Sequence, residues 1–566
     1  MTNTHTTTIK VMRGALVALA LAAASCRKGS SSNGEVSQSW KPAAPGTIGG
    51  APIAAVQQSL ATRLAGPRPA PLDEDQWAHV QHVYKLYAGA PLWMDQEGVA
   101  NGRAEALTQA LINADSDALR LDAYPIGPLA TALAAMKQTK TPTADQVAQA
   151  DLMLTSAFAA LGEDLLTGQV NPKEMSQDWH IDPQEEHVDS ALVRSLRDPD
   201  LAAAIGRMRP QDEDYENLRK DLVTYRQLVQ KGGWSPVPAG KATRPGQADA
   251  PARLDALRAR LTAEGYQVPA AAGATYDRPF AAVVAQFQSR HGITVDSMLG
   301  PETMTTLNLS AEYRLGQVAA NLERYRWLPR SLGDRYVLVN VPAFRLEAYD
   351  QGQKALEMKV IVGQEYEGKN TPVFSDTMQY VVFRPYWNIT PDIQAKEVGP
   401  KIAADPGYLD RENLEYYKDG GVTRIRQKPG PKNSLGLVKF LFPNSFNIYL
   451  HDTPADNLFE KDVRAFSHGC IRLEKPEEMA QFVLGSDADK VREAMQNGPD
   501  NKTVTLKQTI PVYIAYFTTY TRDGLLYFGN DLYNRDAALV KKVAGGAIAD
   551  AQTVEAVNAL KRIAAR

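Results

Sequence analysis

The stretch FSHGCIR, Phe466 to Arg472, sets a thiol between an imidazole and a guanidinium. Cys470 is one of only two cysteines in a chain of 566 residues. Three chemistries are open to it. A free cysteine often serves as a small buried hydrophobe, but here its neighbours are polar, basic or glycine. His451, His468 and Cys470 are ligand types that suit zinc, yet His468 and Cys470 lie two apart across a glycine and no fourth ligand is evident. The nucleophile reading uses every residue. An imidazole beside the thiol and a nearby cation, Arg472 or Arg464, favour the thiolate. Gly469 lets a carbonyl approach the backbone, and the N–H groups of Gly469 and Cys470 are placed to receive a developing oxyanion. Acyl transfer through Cys470 is the chemistry these residues fit best.

The imidazole comes from upstream. In NSFNIYLHD, read as a strand, Phe446, Ile448 and Leu450 face a core, while Asn447, Tyr449 and His451 face the other way, towards a cleft. Fifteen residues separate His451 from Ser467, a loop long enough to return the thiol beside the ring.

The elements that must position these groups follow from patterning. At 566 residues the chain exceeds a single core, and roughly three or four domains are expected. A net charge of −3 gives no basic footprint, so nucleic acid is not an expected partner. Lys10 and Arg13 precede the apolar run Gly14 to Ala24, which reads as an export signal too short to span a bilayer. Residues 1–26 end at Ser25-Cys26, which resembles a lipobox with Ala23 in place of the usual leucine. Lipidation at Cys26 and ordinary cleavage after Ala24 both remain open. Either outcome leaves Cys470 without a disulfide partner in an oxidising envelope, which itself points to chemistry.

Residues 27–72, rich in Ser, Gly, Pro and Ala, read as a flexible tether. Residues 73–250 have helical periodicity; Leu154, Phe158, Leu161 and Leu165 fall on one helix face. His79 and His82 are expected to be surface residues. Residues 251–310 form a compact helical unit, with Phe280, Val283, Val284 and Phe287 on one face and Gly292 as a stop. From 335 to 520 the period changes to that of strands. A polar Gly/Pro-punctuated insertion at about 391–433 has the character of a lid. Residues 521–566 complete a hairpin, IPVYIAYFTTYTRDGLLYF, turning at Asp523-Gly524, and add a helix.

His451 followed by Ser467-His468-Gly469-Cys470-Ile471-Arg472 resembles the signature of the L,D-transpeptidase catalytic domain. NLERYRWLP, VNVPAF, VIVG, TPVFSD, RPYWNIT, KPGPKNSLG and YLHDTP resemble blocks of its large periplasmic, multi-domain subgroup. YDRPFAAVVAQFQSRHGITVDSMLGPETMTTLN is similar to the three-helix peptidoglycan-binding module, with Ser297 where that family often has glycine. Glu474 replaces a common asparagine. The resemblance implies a multi-domain α+β protein: a helical scaffold, a small three-helix module, and a β-sandwich-like catalytic domain with a lid-like insertion.

It further implies a bacterial envelope enzyme, periplasmic in a Gram-negative cell, that needs no metal or organic cofactor. Its partners would be the donor and acceptor tetrapeptide stems, together with other cell-wall synthases. Cys470 would attack the third residue of a stem and release D-Ala. The thioester would then pass to a second stem as a 3→3 cross-link, and carbapenems would acylate the same thiol. His451 is then the general base and acid, with Asp452 orienting it. His468 and Gly469 support the loop and oxyanion, while Arg472, Tyr449, Trp387 and Ser467 contact substrate. An L,D-carboxypeptidase or amide hydrolase, and a non-catalytic wall-binding protein, are the alternatives.

Overall fold

The computed structural model describes residues 39–42, 45–181, 187–270, 273–365, 369–547 and 550–564. The export signal and Cys26 lie outside them. Among the described residues no helix is long and apolar enough to cross a membrane.

The scaffold is built around the helix Ala144–Thr167. Thr143 starts it with a reciprocal capping box through Gln146. Its leucine face is buried as expected, but Ala148, Ala159 and Ala160 on the other faces are buried too. Small side chains there let neighbouring helices approach from every side, so the helix is enclosed where periodicity suggested one apolar face. Its buried Asp151 accepts hydrogen bonds from the Tyr84 hydroxyl and the Leu92 and Trp93 amides at 2.8–2.9 Å.

Two expectations are corrected here. The tether read over 27–72 is shorter than that, because the helix Ile53–Leu64 packs Val56 and Leu60, both 0 % exposed, into this core. Its alanines and polar residues gave it the composition of a linker. His79 is not a surface residue: its Nδ1 bonds Asp189 at 2.6 Å, bracing two helices, while His82 is exposed. The C-terminal helix Ala551–Ala564 returns to the scaffold, against Ile126–Gln138 and Gly102–Ile112.

The small module contains the helices Pro251–Ala263, Arg278–Arg290 and Pro301–Leu307. The Gln288 side chain organises its turn, accepting from the Asp296 and Ser297 amides and donating to Thr303. Ser297 there has φ +59°, a left-handed conformation that glycine adopts without strain. The module is docked on the catalytic domain. Arg290 donates to the Leu526 carbonyl at 2.9 Å, the Val295 amide to Asp462 at 3.0 Å, and the His291 ring stacks on Phe528.

The joint between the three parts is the helix Ala311–Arg326. Arg324 pairs with Asp536 at 2.7 Å, Asn321 bonds Thr518, and Glu323 accepts from the Val170 amide. The NLERYRW block therefore acts as a structural joint.

The catalytic domain is a ring of eight strands: β1 Arg335–Asn340, β2 Arg345–Asp350, β3 Gln353–Gly363, β4 Val373–Phe383, β5 Val438–Leu441, β6 Leu450–His451, β7 Ile471–Leu473 and β8 Lys502–Ala515. Their hydrogen-bonded order is β5-β6-β7-β3-β2-β1-β8-β4, and β4 also pairs β5. The two layers expected of a sandwich are thus continuous at both edges around one apolar core. Inside lie Val337, Val339, Leu346, Ala348, Val438, Phe440, Leu450 and Ile471, all 0 % exposed. The scaffold contributes the short strand Trp179–His180, parallel to the start of β4.

Two strand readings were too long. In NSFNIYLHD only Leu450–His451 is a strand, because the Asn444 carboxamide captures the Phe446 and Ile448 amides and bends the chain. Ile510–Ala515 belongs to β8, and the terminal hairpin is limited to Thr519–Arg522 and Leu525–Phe528. Within the insertion, Ile389, Val398, Leu414 and Ile425 form a separate small core.

Candidate active site

Three outward positions on adjacent strands define the site. Register places Lys439 of β5 opposite His451 of β6, and His451 opposite Arg472 of β7. Residues directly opposite point to the same face, so two cations flank one imidazole. Tyr449 and Cys470 stand just before β6 and β7, and the Ile471 amide donates to the Tyr449 carbonyl at 3.1 Å. The half-buried thiol lies 3.7 Å from the Asn447 carbonyl.

His451 is buried, and its Nδ1 lies 2.5 Å from the Asp452 carbonyl oxygen. A carbonyl can only accept, so Nδ1 carries the proton and Nε2 keeps its lone pair. Burial, then Arg472 and Lys439, push the imidazole down to about 3. It is a neutral acceptor throughout the working pH range. The Asp452 carboxylate does not reach the ring; it accepts from the Leu437 and Thr453 amides at 2.7 Å, which holds its own carbonyl in place.

Burial pushes the Cys470 thiol up to about 11, against the pull of the Tyr449 amide and phenol and of Lys439 and Arg472. The resting thiol is therefore protonated, and the thiolate expected from its basic neighbours is not the resting state. Among the described residues no hydrogen bond joins Cys470 to His451; besides the Asn447 carbonyl, the sulfur is within reach of Tyr449, whose ring centroid lies 5.7 Å from that of His451.

The loop carrying the thiol is fixed from three sides. The Ser467 hydroxyl donates to the Cys470 carbonyl at 2.5 Å and accepts from the Gly469 amide at 3.1 Å. That occupies one of the two N–H groups expected at the oxyanion, leaving the Cys470 amide. Thr371 donates to the Gly469 carbonyl at 2.8 Å, and Tyr533 in turn holds the Thr371 amide and the Gly363 carbonyl. His468 turns away from the thiol to Glu397 of the insertion, at 2.6 Å, and Lys369 meets the same carboxylate at 3.2 Å. This couples the insertion to the loop.

Gly469 has φ +113°, and a Cβ there would lie 3.0 Å from Ile448 Cδ1. Both the conformation and the space call for glycine. We expect Gly469→Ala to fold, by circular dichroism, but to lose about 100-fold or more in kcat/KM, because displacement of a reacting group by about 1 Å costs that much.

Of the other expected residues, Arg464 is not beside the thiol. It braces the loop by donating to the Phe344, Val360 and Lys461 carbonyls. Trp387 sits at the base of the insertion, packed against its small core. Glu474 bonds the Lys359 amide at 3.0 Å and closes the β7–β3 pairing. The zinc reading loses its ligands: His468 and the Nδ1 of His451 are turned to other partners, and among the described residues no group of three His, Cys, Asp or Glu side chains is placed to hold a metal ion.

Sequence reasoning missed Lys439. Its only signal is a lone lysine in the apolar strand LGLVKFLF, and register alone shows what it faces. Among the described residues neither Lys439 nor Arg472 forms an ion pair, although both are largely buried. Burial lowers both cations. Two desolvated cations without counter-charges beside a nucleophile suit an anionic ligand.

Residues 334–514 match the family model described as "L,D-transpeptidase catalytic domain", residues 252–307 that described as "Putative peptidoglycan binding domain", and residues 78–222 that described as "Scaffold domain". A Haemophilus influenzae protein named "Putative L,D-transpeptidase" is 29 % identical over 239 residues, 39 % of this chain; the match spans about half (48 %) of that relative. Among solved structures, the L,D-transpeptidase of Xylanimonas cellulosilytica (residues 123–326) aligns at 16 % identity, covering 49 % of this chain and 98 % of that one, with a TM-score of 0.17. A structure titled "Ldtfm-avibactam carbamoyl enzyme" aligns at 15 % identity, covering 33 % and 50 % of the two chains, with a TM-score of 0.16. The chain carries an L,D-transpeptidase catalytic domain, joined to a scaffold domain and a peptidoglycan-binding domain.

Proposed function

We propose that this protein is a peptidoglycan L,D-transpeptidase acting outside the cytoplasm. The observation that carries the reading is the thiol of Cys470 beside a row of Lys439, His451 and Arg472 on adjacent strands. The sulfur attacks the carbonyl of the third residue of a donor stem, and its proton passes to Nε2 of His451. The Cys470 amide faces the developing oxyanion. As the tetrahedral adduct collapses, the C–N bond to D-Ala breaks, and the imidazolium returns its proton to the leaving amine. A thioester on Cys470 remains. The side-chain amine of a second stem then attacks, His451 takes its proton, and the thiol is released with a 3→3 cross-link formed. Carbapenems, which present a reactive carbonyl and a carboxylate, are expected to acylate the same sulfur.

Arg472 and Lys439 hold the free carboxylates of the donor. We expect Arg472→Ala to lower kcat/KM about 10–100-fold, the range set by a charged hydrogen bond, with a smaller loss for Lys439→Met. With a donor amidated at those carboxylates, the wild type and both variants should converge. Equal losses on the charged and amidated donors would remove the carboxylate role.

The function is tested by mass spectrometry of products after the purified protein meets disaccharide-tetrapeptide. A dimer lacking one D-Ala supports transpeptidation. A monomer lacking D-Ala, with no dimer, would make water the acceptor and the protein a carboxypeptidase.

A further inference from the structure

The outside of the β1–β2 hairpin is the floor of a second cleft, about 590 Å³ in volume. Along β1, Val337 and Val339 enter the core while Tyr336, Leu338 and Asn340 face out; along β2, Leu346 and Ala348 go in while Arg345, Glu347 and Tyr349 face out. Register sets Tyr336 opposite Tyr349, and their rings stack at 4.7 Å with planes 11° apart. One wall is the start of the scaffold helix Glu213–Gln230, with Asp212 and Asp214, and another is the terminal hairpin with Tyr520. Three separate parts of the chain thus converge on one hollow.

Its lining has a definite chemical character. The tyrosine pair offers an apolar surface at the floor, ringed by oxygen acceptors. Asp214 accepts from Tyr325, and Glu347 from Tyr349. The Asp212 carboxylate meets its own backbone N–H and the charge of Arg330. Among the described residues, the Tyr336 and Tyr520 hydroxyls donate to no protein acceptor. Three cations line it as well, Arg345, Lys354 and Arg522, each engaged by Glu357, with Arg345 and Lys354 also on Glu347. Asp212, Glu213, Asp214, Glu347 and Asp523 outnumber these cations in the lining, so an anionic ligand is disfavoured. A pyranose fits both halves: its C–H face packs on aromatic rings, while its hydroxyl and amide hydrogens need acceptors.

The cleft and the thiol also share the outer surface of the ring. From Arg472 on β7 the order runs β3, β2, β1, three strand spacings, or about 14 Å. An extended peptide of four residues spans about 13–14 Å. Register adds an offset along the strands: Arg472 lies opposite Ile361 on β3, whereas Tyr349 lies opposite Lys354, seven residues or about 23 Å further along, so a sugar seated on the tyrosines lies well beyond one stem length from Cys470.

We propose that this cleft binds a strand of uncharged N-acetylhexosamines, held apart from the stem at the thiol. The site is distinct from the thiol centre, and only the strand's identity as cell-wall glycan rests on the function proposed above. The probe is N-acetylchitotetraose, which carries no peptide, added to the full chain and followed by calorimetry and by hydrogen exchange. The expected result is saturable binding with protection over residues 335–350, weakened about tenfold or more by Tyr336→Ala. Asp212→Asn, an exposed and near-isosteric change, should weaken it severalfold with no change in thermal unfolding, so the test survives if the tyrosine variant folds poorly. Absence of saturable binding at millimolar probe would overturn the proposal. So would unchanged binding in Asp212→Asn and a folded Tyr336→Ala, or protection confined to residues 252–307. Failure of the transpeptidase reading is scored separately, by a sugar-free tetrapeptide that yields no dimer on the wild type; chitotetraose binding is unaffected by that result.

Discussion

Cys470→Ala should abolish both D-Ala release and dimer formation, by at least about 10³-fold, as expected when a covalent nucleophile is removed. The fold should survive. The side chain is half-buried at the edge of the core, and the loop is held by Ser467, Thr371 and Tyr533 through backbone groups that the substitution leaves in place. Removing a thiol that burial keeps neutral also creates no unpaired charge. Product analysis of the variant beside the wild type, with matched thermal unfolding, checks this. Turnover within about tenfold of wild type would require another nucleophile.

His451→Ala should lower turnover about 10²–10⁴-fold, the range for a positioned acid–base group, while leaving the resting thiol little changed. The split follows from the geometry. Cys470 is held up at about 11 by burial and is eased by Tyr449, Lys439 and Arg472, not by His451. A raised thiol holds its proton below that value, so the thiolate fraction is about 10⁻⁴ at pH 7 and grows tenfold per pH unit as pH rises towards 11. Iodoacetamide alkylation of Cys470 should follow that slope in both wild type and variant. Turnover should separate them, because only with substrate bound does the neutral imidazole take the proton. On the acid side His451 stays neutral down to about 3, so its protonation should cause no loss of activity between pH 8 and 5. If His451→Ala slowed alkylation as much as turnover, the imidazole would be acting on the free thiol and this division of roles would fail.

Much of the site was legible in the chain because its key residues are close in sequence or alternate along a strand. Gly469, with its left-handed backbone, follows from a glycine beside a nucleophile. The outward positions of Tyr449 and His451 follow from strand alternation, even though the strand itself is only two residues long. What was not legible depends on register and on long-range packing. Lys439 faces His451 only because β5 pairs β6 in one register. Glu397 reaches His468 from 71 residues away, and Tyr533 reaches Gly363 from 170 away. No local pattern encodes such meetings.

Burial had a second effect. The sequence places cations beside the thiol, which argues for a thiolate, but desolvation outweighs them and reverses the resting state. The same principle hid the helix Ile53–Leu64, whose polar and alanine-rich composition read as tether until its buried Val56 and Leu60 showed the packing.

The most direct test of the account is intact-protein mass spectrometry of wild type mixed with a tetrapeptide donor and no acceptor, followed by peptide mapping. The account predicts a covalent acyl group equal to the donor tripeptide, on Cys470, with one free D-Ala released for each adduct. Release of D-Ala with no adduct at any time, or an adduct on a residue other than Cys470, would contradict it.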